Sequence, residues 1–492
     1  MRGRWRYRFR RTTLLLVLFV AFLCGIGLAR AGYAIAGVWL WLAGGTLALA
    51  FRERTVITLL LVVLFGVSLG LWRGSLFTRK LAVYDALNYQ KITITAQATD
   101  DAVYGKNSQL SFDANHVRLV DDGAQLAGKV SLSGFGANGI FQGDEVEVTG
   151  TLYPGYGAYQ GRMSFAQIHV LGHHLSLVAE LRQKFAAGTQ SALPEPLASF
   201  AMGLLVGQRA TLPADVKQDL LMVGLTHIIA VSGYNLTIML HASKRLFGKR
   251  SKRMATLLSM ALIGVFLLLA GSSASIVRAA IVSMLSIIAS YYGRSFKPLN
   301  LIALAAAITA WASPFYVWSD ISWYLSFLAF YGVMVLAPLV QARWPAEWRE
   351  SLVASVALES ICAETMTLPF VLHMFGQMSF IGLPANVLVV TLVPLAMLLS
   401  LVAGLAGMLA GPVAGWFAWP ARLLLTYMLD LAHIMAGLPH VFVEHIGLSL
   451  PRMIGLYAVT LIMTRLLWRR TKSSKYAKIT DMQETSLQGA SR

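Results

Sequence analysis

Charged residues are scarce in this chain. They make up 13% of the 492 residues, whereas hydrophobic residues make up 57%, and the mean hydropathy is +0.62. A soluble protein usually carries about 25% charged residues. The composition therefore excludes an ordinary soluble protein and predicts a polytopic α-helical membrane protein with one sizeable soluble insert.

Cysteine is nearly absent as well. Cys24 and Cys362 both lie inside apolar segments, where a cysteine is more often a small buried hydrophobic residue than a disulfide partner. The two cysteines therefore do not indicate a redox compartment. No Walker A sequence occurs, so energy from ATP would have to come through a separate protein.

The net charge is +18, yet the basic residues do not form one nucleic-acid-binding patch. They flank apolar runs, in clusters at 2–11, 244–253, 293–297 and 469–478. Lysine and arginine collect in the cytoplasmic loops of membrane proteins. The clusters therefore predict a multi-pass protein of the cytoplasmic (plasma) membrane with both termini in the cytoplasm.

Apolar runs of roughly 17–25 residues can cross a bilayer as helices. Twelve predicted transmembrane helices follow: 13–29, 33–50, 55–72, 221–241, 255–271, 276–292, 299–313, 321–340, 351–372, 383–408, 414–436 and 452–468. An even number keeps both termini on one side. The first run is expected to stay in the mature protein, because two more spans follow it closely.

Residues 76–175 have a different pattern. Polar and apolar residues alternate in "KITITAQATD" and four later runs, which is typical of half-buried strands, and turns such as "GFGANG" separate them. Five short strands in this length favour an extracytoplasmic five-stranded β-barrel of the OB type. A five-stranded sandwich is the alternative.

An OB-like barrel could contact DNA through aromatic stacking. Its candidate stacking residues are Tyr104, Tyr156 and Tyr159. Residues 90–171, however, contain five basic and eight acidic residues, whereas affinity for phosphate comes mainly from cations. A structural or docking role for the barrel therefore fits the charge at least as well as direct DNA contact.

Residues 176–220 return to a helical pattern. Leu177, Leu181 and Phe185 share one face of a predicted helix and charged residues occupy the other, as in a helix that lies at the membrane interface. The next apolar run, 196–207, is too short to span. It is expected to be interfacial or re-entrant, with its backbone buried in protein or facing a watery cavity.

Polar side chains recur within the predicted span 221–241. His227, Tyr234 and His241 are seven residues apart and fall on one helix face. A polar stripe is expected to face the bundle interior, where hydrogen bonds between helices are the simplest explanation. The dipeptide 232–233 adds a site for local unwinding, a feature of transport sites.

Ionisable residues also lie inside other apolar runs, where they are candidate functional groups. Arg278 lies near the outer end of its predicted helix. Glu359 and Glu364 lie on one predicted helix, about 140° apart around its axis. A structural ion pair is the competing explanation for Arg278 and Glu359.

Three segments together resemble the ComEC competence proteins. The first contains "GLTHIIAVSGYN" (224–235), the second "SSASIVRAAIVSML", with Arg278, and the third runs from "ESICAETMTLPF" to "NVLVVTLVP", with Asn386. The family commonly has "LH" where this chain has "YN". The resemblance covers nearly the whole chain, including the order of N-terminal helices, OB-like insert and helical core.

The resemblance implies a channel that carries single-stranded DNA across the membrane during natural transformation. The residues expected to form the channel or DNA pathway are His227, Ser232, Gly233, Tyr234, Asn235, Arg278, Glu359, Glu364 and Asn386. Arg278 is expected to draw phosphates at the outer mouth, whereas Glu359 and Glu364, which are awkward beside a polyanion, either pair with cations such as Arg278 or lie off the path. It also implies partners beyond DNA and membrane lipids: an extracytoplasmic DNA receptor, a separate nuclease and a cytoplasmic ATP-driven motor. A homo-oligomer is left open.

Many family members carry a metallo-β-lactamase-like domain with an H-x-H-x-D-H zinc site, and this sequence does not contain that run. No enzyme activity, catalytic residue, metal or cofactor is therefore predicted. Two other functions compete with the channel: an intramembrane enzyme that uses His227 with Glu359 or Glu364, and a small-solute transporter.

The predicted organisation has five parts. They are three N-terminal transmembrane helices (1–75), the extracytoplasmic OB-like domain (76–175), amphipathic or interfacial helices (176–220), the helical competence domain (221–470) and a disordered cytoplasmic tail (471–492).

Overall fold

The computed structural model describes most of the chain, with gaps between the elements. The described residues are 8–37, 44–45, 55–99, 102–104, 109–136, 140–155, 159–172, 177–207, 212–229, 251–270, 274–292 and 297–489.

Helices dominate the described residues. They are α1 Arg11–Arg30, α2 Val56–Leu87, α3 Leu177–Ala192, α4 Leu197–Val206, α5 Ala214–Met222, α6 Thr226–Ile229, α7 Lys252–Ala270, α8 Ala274–Tyr291, α9 Pro298–Ala312, α10 Phe315–Ser319, α11 Ile321–Tyr331, α12 Ala337–Gln341, α13 Ala346–Glu350, α14 Leu352–Met374, α15 Gly382–Ala385, α16 Val393–Leu409, α17 Ala414–Ala436 and α18 Leu450–Gly489. Two π-helical segments, Gly332–Leu336 and Asn386–Val390, and a 3₁₀ turn, Gly411–Val413, connect some of them.

The strands are fewer and mostly consecutive. They are β1 Lys91–Ala98, β2 Val103–Tyr104, β3 Leu110–Leu119, β4 Val130–Phe135, β5 Glu145–Pro154, β6 Gly161–Gly172, β7 Met378–Ser379 and β8 Phe442–Val443.

The chain divides into two compact units. The first is drawn from Met1–Leu212, Ile229–Tyr324 and Ala396–Leu425, and the second from Pro213–Ile228, Leu325–Leu395 and Thr426–Arg492. The larger sheet and helices α1–α4 belong to the first unit. Helices α14, α15 and α18 belong to the second.

Five helical segments of the described chain are long and apolar enough to cross a membrane: Arg11–Arg30, Val56–Leu87, Ile321–Gln341, Val353–Met374 and Leu450–Arg470. A sixth is a pair bent by 48°, Gly382–Val390 followed by Val393–Leu409. The protein is therefore a helical membrane protein with several spans, as predicted, but twelve are not confirmed.

Other predicted spans are not among these six segments. Much of 33–50 and residues 230–241 of the span 221–241 lie outside the described residues. The predicted spans 276–292 and 299–313 contain helices α8 and α9, whose apolar segments Ser275–Ala289 and Pro298–Ala312 are not among the segments long enough to cross a membrane.

Local sequence signals fix several helix ends. Helix α2 begins at a capping box in which Thr55 and Thr58 each accept from the other's backbone N–H. Helix α14 begins where the Ser351 hydroxyl accepts from the backbone N–H of Ala354, at 3.3 Å. Such caps satisfy backbone donors that a helix start leaves unpaired.

Small residues allow α1 and α2 to approach each other closely. They recur every four positions on both helices and meet at the crossing: Ala21, Gly25 and Ala29 on α1, and Gly66, Gly70 and Gly74 on α2. A Cβ atom added at Gly70 would lie 2.1 Å from the carbonyl oxygen of Phe22. Small residues serve this purpose in membranes, where dispersion contacts hold helices together.

The larger sheet forms a closed ring. Strand β1 pairs with both β5 and β3, and the order continues β5–β6–β4–β3. All neighbours are antiparallel except β4 and β6, which are parallel. The five longer strands coincide with the five alternating runs of the sequence and extend past them by about one residue at most. The predicted small β domain is thus a mixed sheet, and the OB type of barrel stays a prediction.

The ring has an apolar interior that includes the end of a helix. Ile94, Leu132, Val148 and Ile168 are fully buried, and Tyr84 of α2 packs into the same core. Because alternating residues of each strand point inward, the alternation in the sequence becomes the core of the ring. The ring is thereby attached to the end of α2.

Helices α3 and α4 are packed within the first unit. Nine of the ten residues of α4 are buried, so the short apolar run has its backbone inside protein, one of the two expected environments. Helix α3 meets α16 so closely that a Cβ atom on Gly407 would lie 1.8 Å from the carbonyl oxygen of Gly188. The interfacial position of α3 stays a prediction.

The last helix is longer than its predicted span. Helix α18 runs from Leu450 to Gly489, through most of the segment for which the sequence predicts a disordered tail. The segment after residue 470 is rich in residues that favour helices and contains no proline, which allows the helix of the span to continue.

Replacing Gly70 by leucine is expected to separate α1 from α2, because the added atoms would overlap backbone. We expect the free energy of unfolding to fall by about 2–3 kcal/mol or more. Thermal unfolding of the purified protein in detergent micelles measures this change.

Gly27→Leu is the matched control, since no atom lies within 4 Å of a Cβ atom at that position of α1. Equal unfolding temperatures for the two variants would contradict the close helix contact.

Candidate functional site

Several predicted site residues cannot be placed. Ser232, Gly233, Tyr234, Asn235 and Tyr156 lie outside the described residues, and for Tyr104 only the backbone is described. Tyr159 is held in place, since its hydroxyl donates to Asp113 Oδ2 at 3.0 Å.

The turn before His227 has a defined geometry. At the end of α5, Leu225 N–H donates to Leu220 O at 2.7 Å and Gly224 N–H donates to Leu221 O at 3.0 Å. This is a Schellman motif, which needs a left-handed residue after the helix. Gly224 has φ = +78°, so glycine suits the position best.

His227 is oriented by this turn. Its Nδ1 lies 3.1 Å from the carbonyl oxygen of Gly224. A carbonyl oxygen only accepts hydrogen bonds, so Nδ1 carries the proton when this bond forms. The neutral ring then has Nε2 as an acceptor, and the side chain is exposed.

A second turn lies opposite Gly224. Its first residues form the short strand β7, which pairs antiparallel with β8. Phe380 N–H donates to Val441 O at 2.8 Å, and Ile446 N–H donates to Gly376 O at 2.9 Å. These bonds fix the backbone of residues 376–380 just before α15.

The two turns are in van der Waals contact. A Cβ atom on Gly224 would lie 3.4 Å from Ser379 Cβ and 3.5 Å from Gly382 Cα. A Cβ atom on Gly382 would lie 3.7 Å from both Glu364 Oε1 and Val223 O. The turns therefore bring a carboxylate and a hydroxyl together beside two glycines.

Asn386 follows Gly382 by four residues, which places both on one face of the helical segment. We name the group of Gly224, Ser379, Gly382, Glu364 and Asn386 the polar turn cluster. Among the described residues, buried Ser379 Oγ and Asn386 Oδ1 have no hydrogen-bond partner. An unpaired buried polar group costs about 1–3 kcal/mol and calls for an explanation, such as a function or a bound water.

The helix that carries Asn386 is broken. It begins as α15, passes through the π-helical segment Asn386–Val390, and bends by 48° before α16. Pro394 has no N–H to donate to Val390 O, which explains the interruption. Broken helices and π segments recur at transport and other functional sites.

The two glutamates of α14 differ in their surroundings. Glu364 lies beside Gly382. Glu359 is on another face of the helix, and both side chains are partly buried. Of the predicted pathway residues, Glu364 and Asn386 thus belong to the polar turn cluster, and His227 is bonded to Gly224 within it.

Arg278 is buried and paired. Its side chain is 1% exposed, Nη1 lies 3.6 Å from Asp320 Oδ2, and Nη2 donates to Ser322 O at 3.0 Å and to Ser322 Oγ at 2.8 Å. Asp320 Oδ1 accepts from Ser322 N–H at 2.9 Å. The geometry favours the ion-pair explanation, with Asp320 rather than a glutamate of α14 as the partner.

Two other arginines of the first unit donate hydrogen bonds to the same part of the chain. Arg73 donates to Trp311 O at 3.0 Å and to Ala312 O at 3.2 Å, and Arg30 donates to Trp318 O. Three arginine side chains therefore donate hydrogen bonds to residues 311–322. Backbone carbonyls and one carboxylate offset these charges, which favours a structural role for the arginines.

A hydrogen bond also anchors α5, the helix that leads into Gly224. His433 Nδ1 and Asp219 Oδ2 are 2.7 Å apart, and both belong to the second unit. In the part of the chain that the structure describes, no group of three or more His, Cys, Asp or Glu side chains could hold a metal ion.

These features define the class: a multi-pass helical membrane protein with a small β-ring and with polar groups enclosed among apolar helices. Residues 204–471 match the competence protein family, and the match covers more than half of the chain. The chain therefore belongs to the competence protein family, which confirms the resemblance to the ComEC proteins.

ComE operon protein 3 of Bacillus subtilis (strain 168) is 25% identical to this chain over 292 residues. The aligned part is 58% of this chain and 36% of that protein, so the chain spans little more than a third of its relative's length. No solved structure matches the chain.

Sequence reasoning missed three residues of these sites. Ser379 and Gly382 lie in a short polar turn between two apolar runs, and this interruption was the available signal. Asp320 lies in a loop 42 positions from Arg278 in the sequence. A single sequence carries no signal that pairs them.

Removing one charge of the buried pair is expected to destabilise the first unit. We expect Arg278→Met to lower the free energy of unfolding by about 3–5 kcal/mol. Arg278→Met combined with Asp320→Asn should lose less than the sum of the two single variants, because no unpaired charge remains. Thermal unfolding in detergent measures all three.

Arg422→Met is the control for loss of one arginine, since Arg422 is exposed on α17. Strictly additive effects of Arg278→Met and Asp320→Asn would show that the two side chains are not energetically coupled.

Proposed function

We propose that this protein is the membrane channel that passes single-stranded DNA into the cytoplasm during natural transformation. The observation that carries the proposal is the polar turn cluster. It lies within the region that matches the competence family, on apolar helices, and two of its buried polar atoms have no partner among the described residues.

A polyanion can cross hydrocarbon only along a wet, polar path. The path must bind the strand well enough for entry and weakly enough for release. The Ser379 hydroxyl, the Asn386 amide and the His227 ring offer hydrogen bonds without fixed charge. These groups can hold water or contact bases and sugars as the strand moves.

Glu364 has a different role in this proposal. A carboxylate beside the path repels phosphate, so it opposes tight binding of the backbone and favours release. Ser232, Gly233, Tyr234 and Asn235 follow His227 in the sequence and are proposed to continue the path. Arg278 is proposed to hold residues 311–322 in place rather than to draw phosphate itself, and Glu359 stays a proposed pathway residue.

The β-ring is proposed to be an OB-type barrel outside the cell. Its five strands, with β1 closing the ring between β3 and β5, fit a closed five-stranded Greek-key arrangement. The acidic balance of the sequence in this region favours docking of an extracytoplasmic DNA receptor over strong DNA binding.

The full topology is proposed to have twelve crossings with both termini in the cytoplasm. Helices α7, α8, α9 and α17 lie at four of the predicted spans. The strand would be pulled by a separate ATP-driven motor, and a separate nuclease would degrade the other strand. These partners follow from the absence of a Walker A sequence and from the family resemblance.

The proposal is tested by replacing an unpaired polar group with an apolar one. Asn386→Leu is expected to keep or raise the unfolding temperature, because it removes a buried amide oxygen that has no partner among the described residues. It should nevertheless lower transformation by roughly tenfold or more, because the path loses a polar contact. Transformation is measured in a strain that lacks the chromosomal gene, together with labelled DNA that remains outside the membrane.

Leu388→Ala is the matched control, since Leu388 is 44% exposed in the same π-helical segment. Wild-type transformation by Asn386→Leu, at wild-type protein level, would remove the polar turn cluster from the DNA path. Loss of labelled DNA at the cell surface would point to a receptor defect instead.

A further inference from the structure

Two helix ends of the first unit form a basic and aromatic pocket. Helix α7 begins at Lys252 and α8 ends at Tyr291. Lys252 Nζ lies 5.7 Å from the centre of the Tyr291 ring, within the range of a cation–π contact. The rings of Tyr291 and Tyr292 are 5.3 Å apart at 81°.

These side chains border a shallow, open depression. Its volume is about 490 Å³, and the described residues that line it are Lys252, Arg253, Tyr291 and Tyr292. Both basic side chains are exposed, and Tyr292 is 70% exposed. Unlike Arg73 and Arg278, which are bonded within the protein, Lys252 and Arg253 are exposed beside an aromatic ring. Together these side chains offer a ligand both positive charge and a stacking surface.

The pocket lies at the basic end of the first unit. Helix α9 begins six residues after Tyr292, and Lys297 Nζ at its start donates to Thr12 Oγ1 at 3.1 Å. Asn300 Nδ2 donates to Thr12 O at 2.6 Å. The starts of α1 and α9 are therefore adjacent, and the basic N-terminal cluster marks this end as the cytoplasmic one.

We propose that this Lys–Tyr pocket binds single-stranded nucleic acid where the strand leaves the membrane. The inference rests on the proposed channel function and adds a contact site to it. The tyrosine rings stack on bases, and Lys252 and Arg253 contact phosphates. Charge combined with aromatic rings is the usual chemistry of sites that bind single strands without sequence preference.

The chemistry favours a nucleotide over a lipid headgroup. Tyrosine and lysine at a membrane surface often serve as anchors, and a phospholipid offers a phosphate but no planar base for the rings. In a nucleotide, one sugar joins base and phosphate. A cation 5.7 Å from a ring centre can therefore act with that ring on the same nucleotide.

The test uses the full-length protein in nanodiscs of phosphatidylcholine. Fluorescence anisotropy measures the affinity for a labelled oligo-dT of about 12 nucleotides and for an abasic oligomer of the same length. Tyr292→Leu, and Tyr291→Leu combined with Tyr292→Leu, should weaken oligo-dT binding by about tenfold or more. Binding of the abasic oligomer should change little.

Lys252→Gln combined with Arg253→Gln should weaken the binding of both oligomers. It should also make their affinities depend less on the salt concentration. Tyr427→Leu is the control for an exposed tyrosine elsewhere, since Tyr427 is 45% exposed on α17. Each variant is first checked for an unchanged unfolding temperature, and Tyr292→Leu alone is the variant least able to disturb the fold.

Three results would overturn the assignment. Unchanged oligo-dT affinity in Tyr292→Leu and the double tyrosine variant would exclude stacking. Equal loss for oligo-dT and abasic oligomer in those variants would exclude base recognition. Weaker retention of phosphatidylglycerol by Tyr292→Leu than by the wild type, with unchanged oligo-dT affinity, would assign the pocket to lipid. None of these results depends on the transformation assay of Asn386→Leu, so the two proposals can fail separately.

Discussion

A polar group inside a bilayer must find its partner within the protein, because hydrocarbon offers none. Arg278 of the first unit is 1% exposed and meets this requirement in part: Nη2 donates to Ser322, and Nη1 lies 3.6 Å from Asp320 Oδ2, while Nε, Nη1 and Asp320 Oδ2 have no hydrogen-bond partner among the described residues. In the second unit, Ser379 Oγ and Asn386 Oδ1 have none either. Arg278 and Asp320 offset each other's charge, whereas Ser379 and Asn386 carry no charge and keep capacity for a ligand or water.

Close contacts between backbones keep such groups in place. In the first unit, Gly70 meets Phe22 and Gly407 meets Gly188 at distances that no larger residue allows. In the second unit, Gly224 and Gly382 bring two turns into contact beside Glu364. In the first unit glycine permits backbone contacts that a side chain would prevent. In the second unit Gly224 is favoured by its left-handed backbone, with φ = +78°, and its neighbours lie at ordinary van der Waals distance.

The sequence predicts elements better than contacts. Alternation locates the five long strands, because a two-residue period has one physical meaning in a sheet. Apolar runs locate the five helices and the bent pair that are long and apolar enough to cross a membrane. The runs at 276–292 and 299–313 contain helices α8 and α9, and composition alone does not distinguish a crossing helix from a shorter buried one. The pair Arg278–Asp320 and the meeting of Gly224 with Ser379 join distant parts of the chain, and local patterns do not encode such contacts. Glu364 was singled out because ionisable groups are costly in apolar helices, and Asn386 because of the family resemblance; the pathway roles of both stay predictions.

The path of the strand can be mapped by photo-crosslinking. A labelled strand is stalled in transit by a bulky group at its trailing end, in cells whose protein carries a photoreactive phenylalanine analogue at one position. The strand is expected to crosslink to position 379 but not to position 365. Thr365 is an exposed residue of α14 that does not belong to the polar turn cluster. Capture from position 365 alone, or equal capture from both, would contradict a DNA path through the polar turn cluster.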